Sequence, residues 1–278
     1  MRKVIEFVAA FYILFLVIIS IFSGILVGSG VYTDNSYRIY SYTPYEIDKS
    51  SFLSPPTKKH IMGTDDVGRD ILARLIKGTS NSFFISFVAT VISLLFGAFL
   101  GGLSGYLGGW FDFVFSRVFE LFYSLPIMFV LILFSPIMGD NLFLFAVVLG
   151  LLGWLFIARL VRAEVKKLKD TPFLEYAKSN GANYYYLFKR HFFPYILPPL
   201  LPIAIFGFSG MLVAEASLSF LGLGVRPPEP SWGQMIYDGF TYLGIAPWIY
   251  VPPSVLLFLT VLSLDILGEH FKKIYSRF

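Results

Sequence analysis

The 278-residue chain has no cysteine. Disulfides, thiolate zinc sites and cysteine nucleophiles are therefore excluded, and the redox compartment cannot be read from thiol usage. Charge is also scarce. Asp, Glu, Lys and Arg make up 14% of the chain, against roughly 25% in a soluble domain. Histidine occurs three times, at His60, His191 and His270, which leaves few general bases for nucleophilic catalysis. No G-x-x-x-x-G-K-[ST] run occurs, so the chain is expected to lack a phosphate-cradling loop and to bind no ATP itself.

Apolar residues are abundant: 56% of the chain is hydrophobic and 19% aromatic, with a mean hydropathy of +0.71. They fall in blocks, which identifies an integral membrane protein rather than a single soluble core. Six stretches approach the roughly 20 residues that a bilayer-crossing helix needs. They are Val4–Gly28, Phe83–Leu107, Phe113–Met138, Leu142–Val161, Tyr195–Leu221 and Trp248–Leu267. Because backbone groups in lipid must satisfy one another, the expected fold is an all-α polytopic membrane protein with six transmembrane helices. The first stretch is longer than a signal-peptide core and is read as an uncleaved span. Gly97, Gly101, Gly102 and Gly105 in the second stretch suit close helix packing. No repeat at a solenoid period is visible.

Basic residues set the expected orientation. With the N-terminus in the cytoplasm, fourteen of the 22 lysines and arginines lie inside, eight of them between Arg159 and Arg190. Residues 29–82 and 222–247 then lie outside, and both termini are cytoplasmic. The net charge of +4 suits an anionic inner leaflet. The basic residues flank spans and form no single soluble face, so no nucleic acid is expected as a partner.

One segment breaks the apolar pattern. After Val161 the chain reads "RAEVKKLKDTPFLEYAKSNGANYYYLFKRHFFP". Asp170 or Thr171 suits a helix cap, and Pro172 a first turn. Phe173, Leu174, Tyr176 and Ala177 then form one sticky face. Asn180 and Gly181 end the helix, Gly181 in a left-handed turn. A short helix pinned between two spans cannot bury that face alone. It meets either a cytoplasmic partner or the lipid headgroups.

Three motifs carry a resemblance that distinguishes these readings. Glu175, Ala177, Gly181 and Pro194 reproduce the Glu-x-Ala…Gly…Pro pattern of the "EAA" loop of ABC importer permeases, with Tyr176 standing at the middle alanine. "HIMGTDDVGRDILARLIKG" (60–78) resembles the segment before the second span in the dipeptide, oligopeptide and nickel permeases, and "AEASLSFLGLGVRPPEPSWGQMI" (214–236) resembles their outer segment before the last span. Order and spacing match across roughly residues 60–268, as in the second, C-type permease of the pair. The tail "GEHFKKIYSRF" departs from the family's usual ending. The resemblance implies a type I ABC importer permease fold. Its parts are an N-terminal helix (1–28), an extracytoplasmic segment with an amphipathic helix (29–82), a transmembrane core (83–270) and a cytoplasmic tail (271–278). The core includes a coupling loop (162–193) and an outer segment (222–247). It implies half of a translocation pathway for short peptides, oligosaccharides or nickel chelates, working by alternating access. The implied partners are a homologous second permease, two ABC ATPases, an extracytoplasmic binding protein and membrane lipid. ATP and magnesium belong to the ATPases, and this chain needs no cofactor, metal or catalytic residue. Phe173, Leu174, Glu175, Tyr176, Ala177, Asn180 and Gly181 become the ATPase-coupling residues.

Other candidates have plainer readings. Asp65, Asp66 and Asp70 fail the calcium-loop spacing. Instead Thr64 or Asp65 is expected to cap an amphipathic helix burying Val67, Ile71, Leu72 and Leu75. "GFSG" (207–210) resembles an intramembrane serine-protease motif, but no histidine is placed to activate Ser209. Gly207 and Gly210 then read as helix-packing residues. Arg117 and Glu120 are expected to pair along one helix. Glu215 lies deep in an apolar stretch. It is expected to serve as an outer gate or structural residue, the alternative being solvation at the outer rim. A self-sufficient secondary transporter or channel would need charges forming an ion path within the spans. Apart from Glu215 and Asp265 they hold almost none.

Overall fold

The computed structural model describes residues 2–28, 39–124, 127–169, 171–172, 181, 186, 190 and 193–275. Among the described residues eight helices carry the architecture: α1 Arg2–Val27, α2 Ile71–Leu107, α3 Gly109–Ser124, α4 Ile127–Met138, α5 Leu142–Lys169, α6 Phe193–Phe220, α7 Trp232–Phe240 and α8 Pro247–Tyr275. Five of them (α1, α2, α5, α6 and α8) are long and apolar enough to cross a membrane. Phe7, Phe99, Phe129 and Phe258 are among the many large apolar side chains exposed on these and neighbouring helices. Such a surface is stable only against lipid, so the chain is a multi-pass membrane protein.

The tightest contact is between α2 and α5. On α2, Ala89, Ser93, Gly97, Gly101 and Gly105 recur every four residues and so share one helix face. A Cβ at Gly97 would lie 2.8 Å from the Trp154 carbonyl oxygen, one at Gly105 2.8 Å from that of Arg162, and one at Gly101 would overlap the Ala158 backbone. From the other side, a Cβ at Gly150 would lie 2.7 Å from the Ala89 carbonyl oxygen. Ser93 Oγ donates to the Gly150 carbonyl at 2.7 Å. Small residues thus bring two backbones into van der Waals contact, the arrangement that substitutes for a hydrophobic driving force in lipid. Gly102 points elsewhere, a Cβ there meeting only Val161 Cγ1 at 4.0 Å.

The contacts advance in the same direction along both helices, so α2 and α5 are parallel. Parallel neighbours require the connecting chain to return across the layer. It does so through α3 and α4. Gly108 lies beside the Lys169 side chain, at one end of the pair. Met138 packs with Ile85, Ala89 and Val225, at the other. Within the expected span Phe113–Met138 the structure describes parts of a 16-residue helix and a 12-residue helix, and residues 125 and 126 between them lie outside the described residues. The remaining crossings match the expected stretches, except that α2 begins at Ile71. The amphipathic segment and the second span are one 37-residue helix, so the 82/83 boundary falls inside it.

The cap of α2 also differs from expectation. Asp70, not Thr64 or Asp65, is the N-cap, accepting from Ala73 N at 2.8 Å. Thr64 and Asp65 instead tie the preceding loop. Thr64 Oγ1 accepts from Ser54 N at 3.0 Å, and Asp65 Oδ1 accepts from Val67 N at 3.1 Å and Arg69 N at 2.8 Å. Ile71 and Leu75 are buried as expected, while Leu72 and Val67 are half-buried. Helix α1 packs on α2 and α8 through Leu16, with Tyr12 reaching Thr260 at 3.4 Å. His270 Nδ1 lies 2.9 Å from Glu6 Oε2, joining the two terminal helices at the end of the bundle that carries Lys169.

The glycine stripe makes a direct prediction. Gly101→Val must displace the α5 backbone, so it should lower stability by about 3 kcal/mol or more. Gly102→Ala, whose Cβ would only touch Val161 Cγ1 at 4.0 Å, should melt within a few degrees of wild type. Thermal unfolding in detergent compares the two, and equal melting temperatures would contradict the close α2–α5 approach.

Candidate functional site

The segment that the sequence singles out follows α5. The last turn of α5 carries Lys166, Lys167 and Lys169, cations that suit a helix C-terminus. Thr171 then folds back, its Oγ1 donating to the Leu168 carbonyl at 2.7 Å. Phe173, Leu174, Glu175, Tyr176, Ala177 and Asn180 lie outside the described residues. Gly181 is described: it is exposed and has φ +79°. That is the left-handed conformation expected from its place after a helix end.

Glu215 is fully buried in α6, not solvated at a rim. Ser82 Oγ of α2 donates to its Oε2 at 2.8 Å, and Ser219 Oγ donates to its Oε1 at 2.7 Å. Each serine in turn accepts from a backbone N–H, Ser219 from Val225 in the loop after α6 at 3.1 Å and Ser82 from Trp232 at the start of α7 at 3.2 Å. The carboxylate thus holds two helices and both ends of one loop through two hydroxyls. Trp232 is completely buried, donates from Nε1 to Thr79 Oγ1 at 3.1 Å and stands edge-on to Phe83. Asn81 Nδ2 donates to Glu229 Oε2 at 2.9 Å and to the Pro230 carbonyl at 2.8 Å, while the Tyr45 hydroxyl donates to Glu229 Oε1 at 2.8 Å. Burial, and then the Glu229 carboxylate, hold the Tyr45 phenol well above its ordinary range.

A second network lies over the same end. Arg74, 1% exposed, stands 3.5 Å from both Asp65 Oδ2 and Asp238 Oδ2. Arg69 Nε donates to Asp65 Oδ2 at 2.6 Å. Burial pushes the Asp238 carboxyl up, and the Arg74 guanidinium draws it back down. His60 Nδ1 lies 2.9 Å from the capping carboxylate of Asp70. The acidic residues near position 65 therefore serve helix capping and ion pairing. No group of three or more metal-ligating side chains occurs among the described residues.

Ser209 is buried in α6, while His60 is held by Asp70 and His270 lies beside Glu6, so neither can activate it. Gly207 packs on Thr90 Cγ2, a Cβ there lying 3.7 Å away, but Gly210 faces open space, contrary to the packing role expected of it. Arg117 and Glu120 pair at 2.5 Å as expected, on an exposed face.

Sequence reading found Glu215 but missed its serine partners and the tryptophan and asparagine that bond beside them. A signal was present. Thr79, Ser82, Ser86, Thr90 and Ser93 form a polar stripe at helical spacing through an apolar span, and all are buried. Removing Glu215 should leave two buried hydroxyls without acceptors, each costing about 1–3 kcal/mol. Glu215→Leu should therefore melt well below wild type and expose the 222–231 loop to protease, with Glu215→Gln in between. Wild-type stability in Glu215→Leu would contradict this account.

Comparison with known proteins fits this arrangement. Residues 93–276 match the model of the family described as "Binding-protein-dependent transport system inner membrane component". The chain is 32% identical over 254 residues to the dipeptide transport system permease protein DppC of Alkalihalophilus pseudofirmus, covering 91% of this chain and 81% of that one. It is 31% identical over 232 residues to the oligopeptide transport system permease protein OppC of Haemophilus influenzae, covering 83% and 75%. Among solved structures, a chain of the inward-facing MetNI methionine ABC transporter aligns with a TM-score of 0.58 at 20% identity, over 73% of this chain and 96% of that one. That likeness supports the fold alone. On the family match and the two relatives, the chain belongs to the inner membrane components of binding-protein-dependent transport systems, the permease subunits of ABC importers.

Proposed function

We propose that this chain forms one half of the translocation pathway of an ATP-driven importer for short peptides, pairing with a homologous permease. Two ATPase subunits and an extracytoplasmic binding protein complete the assembly. The observation that carries this reading is the family match over the helical core together with the basic segment between α5 and α6. The peptide class rests on the names of the relatives. The orientation follows from the basic residues: both termini and 162–193 in the cytoplasm, 29–82 and 222–247 outside. A secondary transporter would need an intramembrane charge free to bind an ion. Glu215, the carboxylate buried within the bundle, is instead occupied by two serines, and Asp265 is exposed on the outside of α8.

In this mechanism the chain does no covalent chemistry. Phe173, Leu174, Tyr176 and Ala177 present the apolar face that an ATPase groove grips. Glu175, close to the start of that helix, favours its dipole and meets a basic group on the ATPase. Gly181 makes the left-handed turn that sets the angle of the helix. Closure of the two ATPases on ATP moves this segment, and the attached helices tip from an inward-facing to an outward-facing arrangement.

The test is peptide uptake measured beside co-purification of the ATPases. Gly181 has φ +79°, which valine resists, so Gly181→Val should misplace the segment without touching a span. Uptake should fall about tenfold or more, the scale of a coupling free energy of a few kcal/mol, while membrane abundance holds. Glu175→Ala should weaken uptake less. Lys49→Ala, in the exposed loop at the opposite end, should transport normally. Normal uptake in Gly181→Val would reduce the segment to an ordinary loop.

A further inference from the structure

Asp112, in the first turn of α3, is the most heavily engaged side chain at the basic end of the bundle. Its Oδ1 accepts from Ser104 Oγ of α2 at 2.8 Å and from Arg162 Nε of α5. Its Oδ2 accepts from Arg162 Nη2 at 2.9 Å and from Lys166 Nζ at 2.6 Å. Arg162 Nη2 also donates to Ser116 Oγ of α3 at 2.8 Å. One carboxylate therefore holds three helices, and the Arg162 fork fixes both its distance and its plane. Asp112 is 14% exposed and Arg162 24%, so water screens this pairing less than it would a surface ion pair.

The position of the cluster gives it a use. Lys166 is three residues before Lys169, where α5 ends, so the clamp lies within one helical turn of the place where the proposed coupling segment begins. On the opposite side the chain passes from α2 to α3 through Gly108 and Gly109, with φ +66° and +54°. Beyond the clamp, α3 meets α5 through an aromatic cluster in which Phe115 and Phe119 pack against Trp154. Apolar packing of that kind is non-directional and allows sliding or rotation. The three hydrogen bonds from Arg162 and Lys166 to Asp112 are directional, and with the Arg162–Ser116 bond they index α3 to the last turns of α5.

We infer that Asp112 is a positioning residue for transport: it locks the basic ends of α2, α3 and α5 into one body, so that displacement of the segment after α5 reaches α2 and α3 together. The inference rests on the coupling role proposed for residues 173–181. Without the clamp, α5 can move while α3 slips on its aromatic contact, and ATP hydrolysis continues without moving the pathway.

The experiment uses the complete transporter, with its ATPases and binding protein, in proteoliposomes. Because this chain has no cysteine, a cysteine pair replacing Glu120 on α3 and Lys167 on α5 can be spin-labelled uniquely within it. In the otherwise wild-type chain the interlabel distance should be the same without nucleotide and with trapped ATP. In Asp112→Asn it should broaden, and peptide imported per ATP hydrolysed should fall about tenfold, while ATPase assembly and hydrolysis stay within about twofold. Asp112→Glu should recover part of the ratio by restoring the charge. Arg162→Lys, which keeps the charge but loses the fork, should resemble Asp112→Asn, and it serves as the test if Asp112→Asn does not fold. An unchanged import-to-hydrolysis ratio would overturn the inference, as would parallel loss of import, hydrolysis and assembly, which marks a purely structural role. A nucleotide-dependent interlabel distance in the wild-type background would overturn the single body. Loss of ATPase binding or of ATP-dependent import by the wild-type transporter would refute the permease reading itself, and the labels would still report on the clamp.

Discussion

The direct contact between the α2 and α5 backbones is the constraint on which the rest of the structure depends. Lipid is as apolar as leucine, so two spans gain little by merely being hydrophobic toward each other. Gly97, Gly101, Gly105 and Gly150 remove the side chains that would hold the backbones apart. Because the two helices run parallel, the intervening chain must recross the layer, which sets the courses of α3 and α4. Thr90 and Ser93 then face protein instead of lipid, where their hydroxyls find backbone carbonyl acceptors.

The two ends of this pair are fixed by different means. At one end Glu215, Ser82, Ser219 and the buried Trp232 join α2, α6 and the 222–231 loop. At the other end Asp112, Arg162 and Lys166 join α2, α3 and α5. Each device centres on one carboxyl group with several donors, which is how a polar group is satisfied away from water. Between them α6 is the least uniform helix. Pro198, Pro199 and Pro202 interrupt its hydrogen-bond ladder near the basic end, while its other end is held by the Glu215 network. Such an element bends more readily at one end than at the other. That asymmetry suits a subunit driven from the basic side.

Much of this was legible in the sequence, for identifiable reasons. Spans are read from the length of apolar runs, because bilayer thickness fixes how many residues a helix needs. The glycines of α2 were legible because small residues at four-residue spacing have one main use in lipid. The start of α2 at Ile71 was not, since Arg74, Lys77, Asn81 and Ser82 interrupt the apolar run while the helix continues through them. The cap at Asp70 was missed because Thr64, Asp65, Asp66 and Asp70 are all plausible caps, and long-range partners decide among them: Ser54 takes Thr64, and Arg69 and Arg74 take Asp65. Asp112 gave no local signal. Its basic partners stand 50 and 54 residues away, and the parallel packing of α2 with α5 brings them together.

The account's central claim is that the basic segment between α5 and α6 faces the compartment from which the transporter is driven. A single cysteine at Lys178, in a chain that has no other, tests this directly with an impermeant thiol reagent. The account predicts no labelling in intact cells, labelling once the membrane is opened, and protection when the ATPases are bound. Labelling from outside intact cells would contradict it.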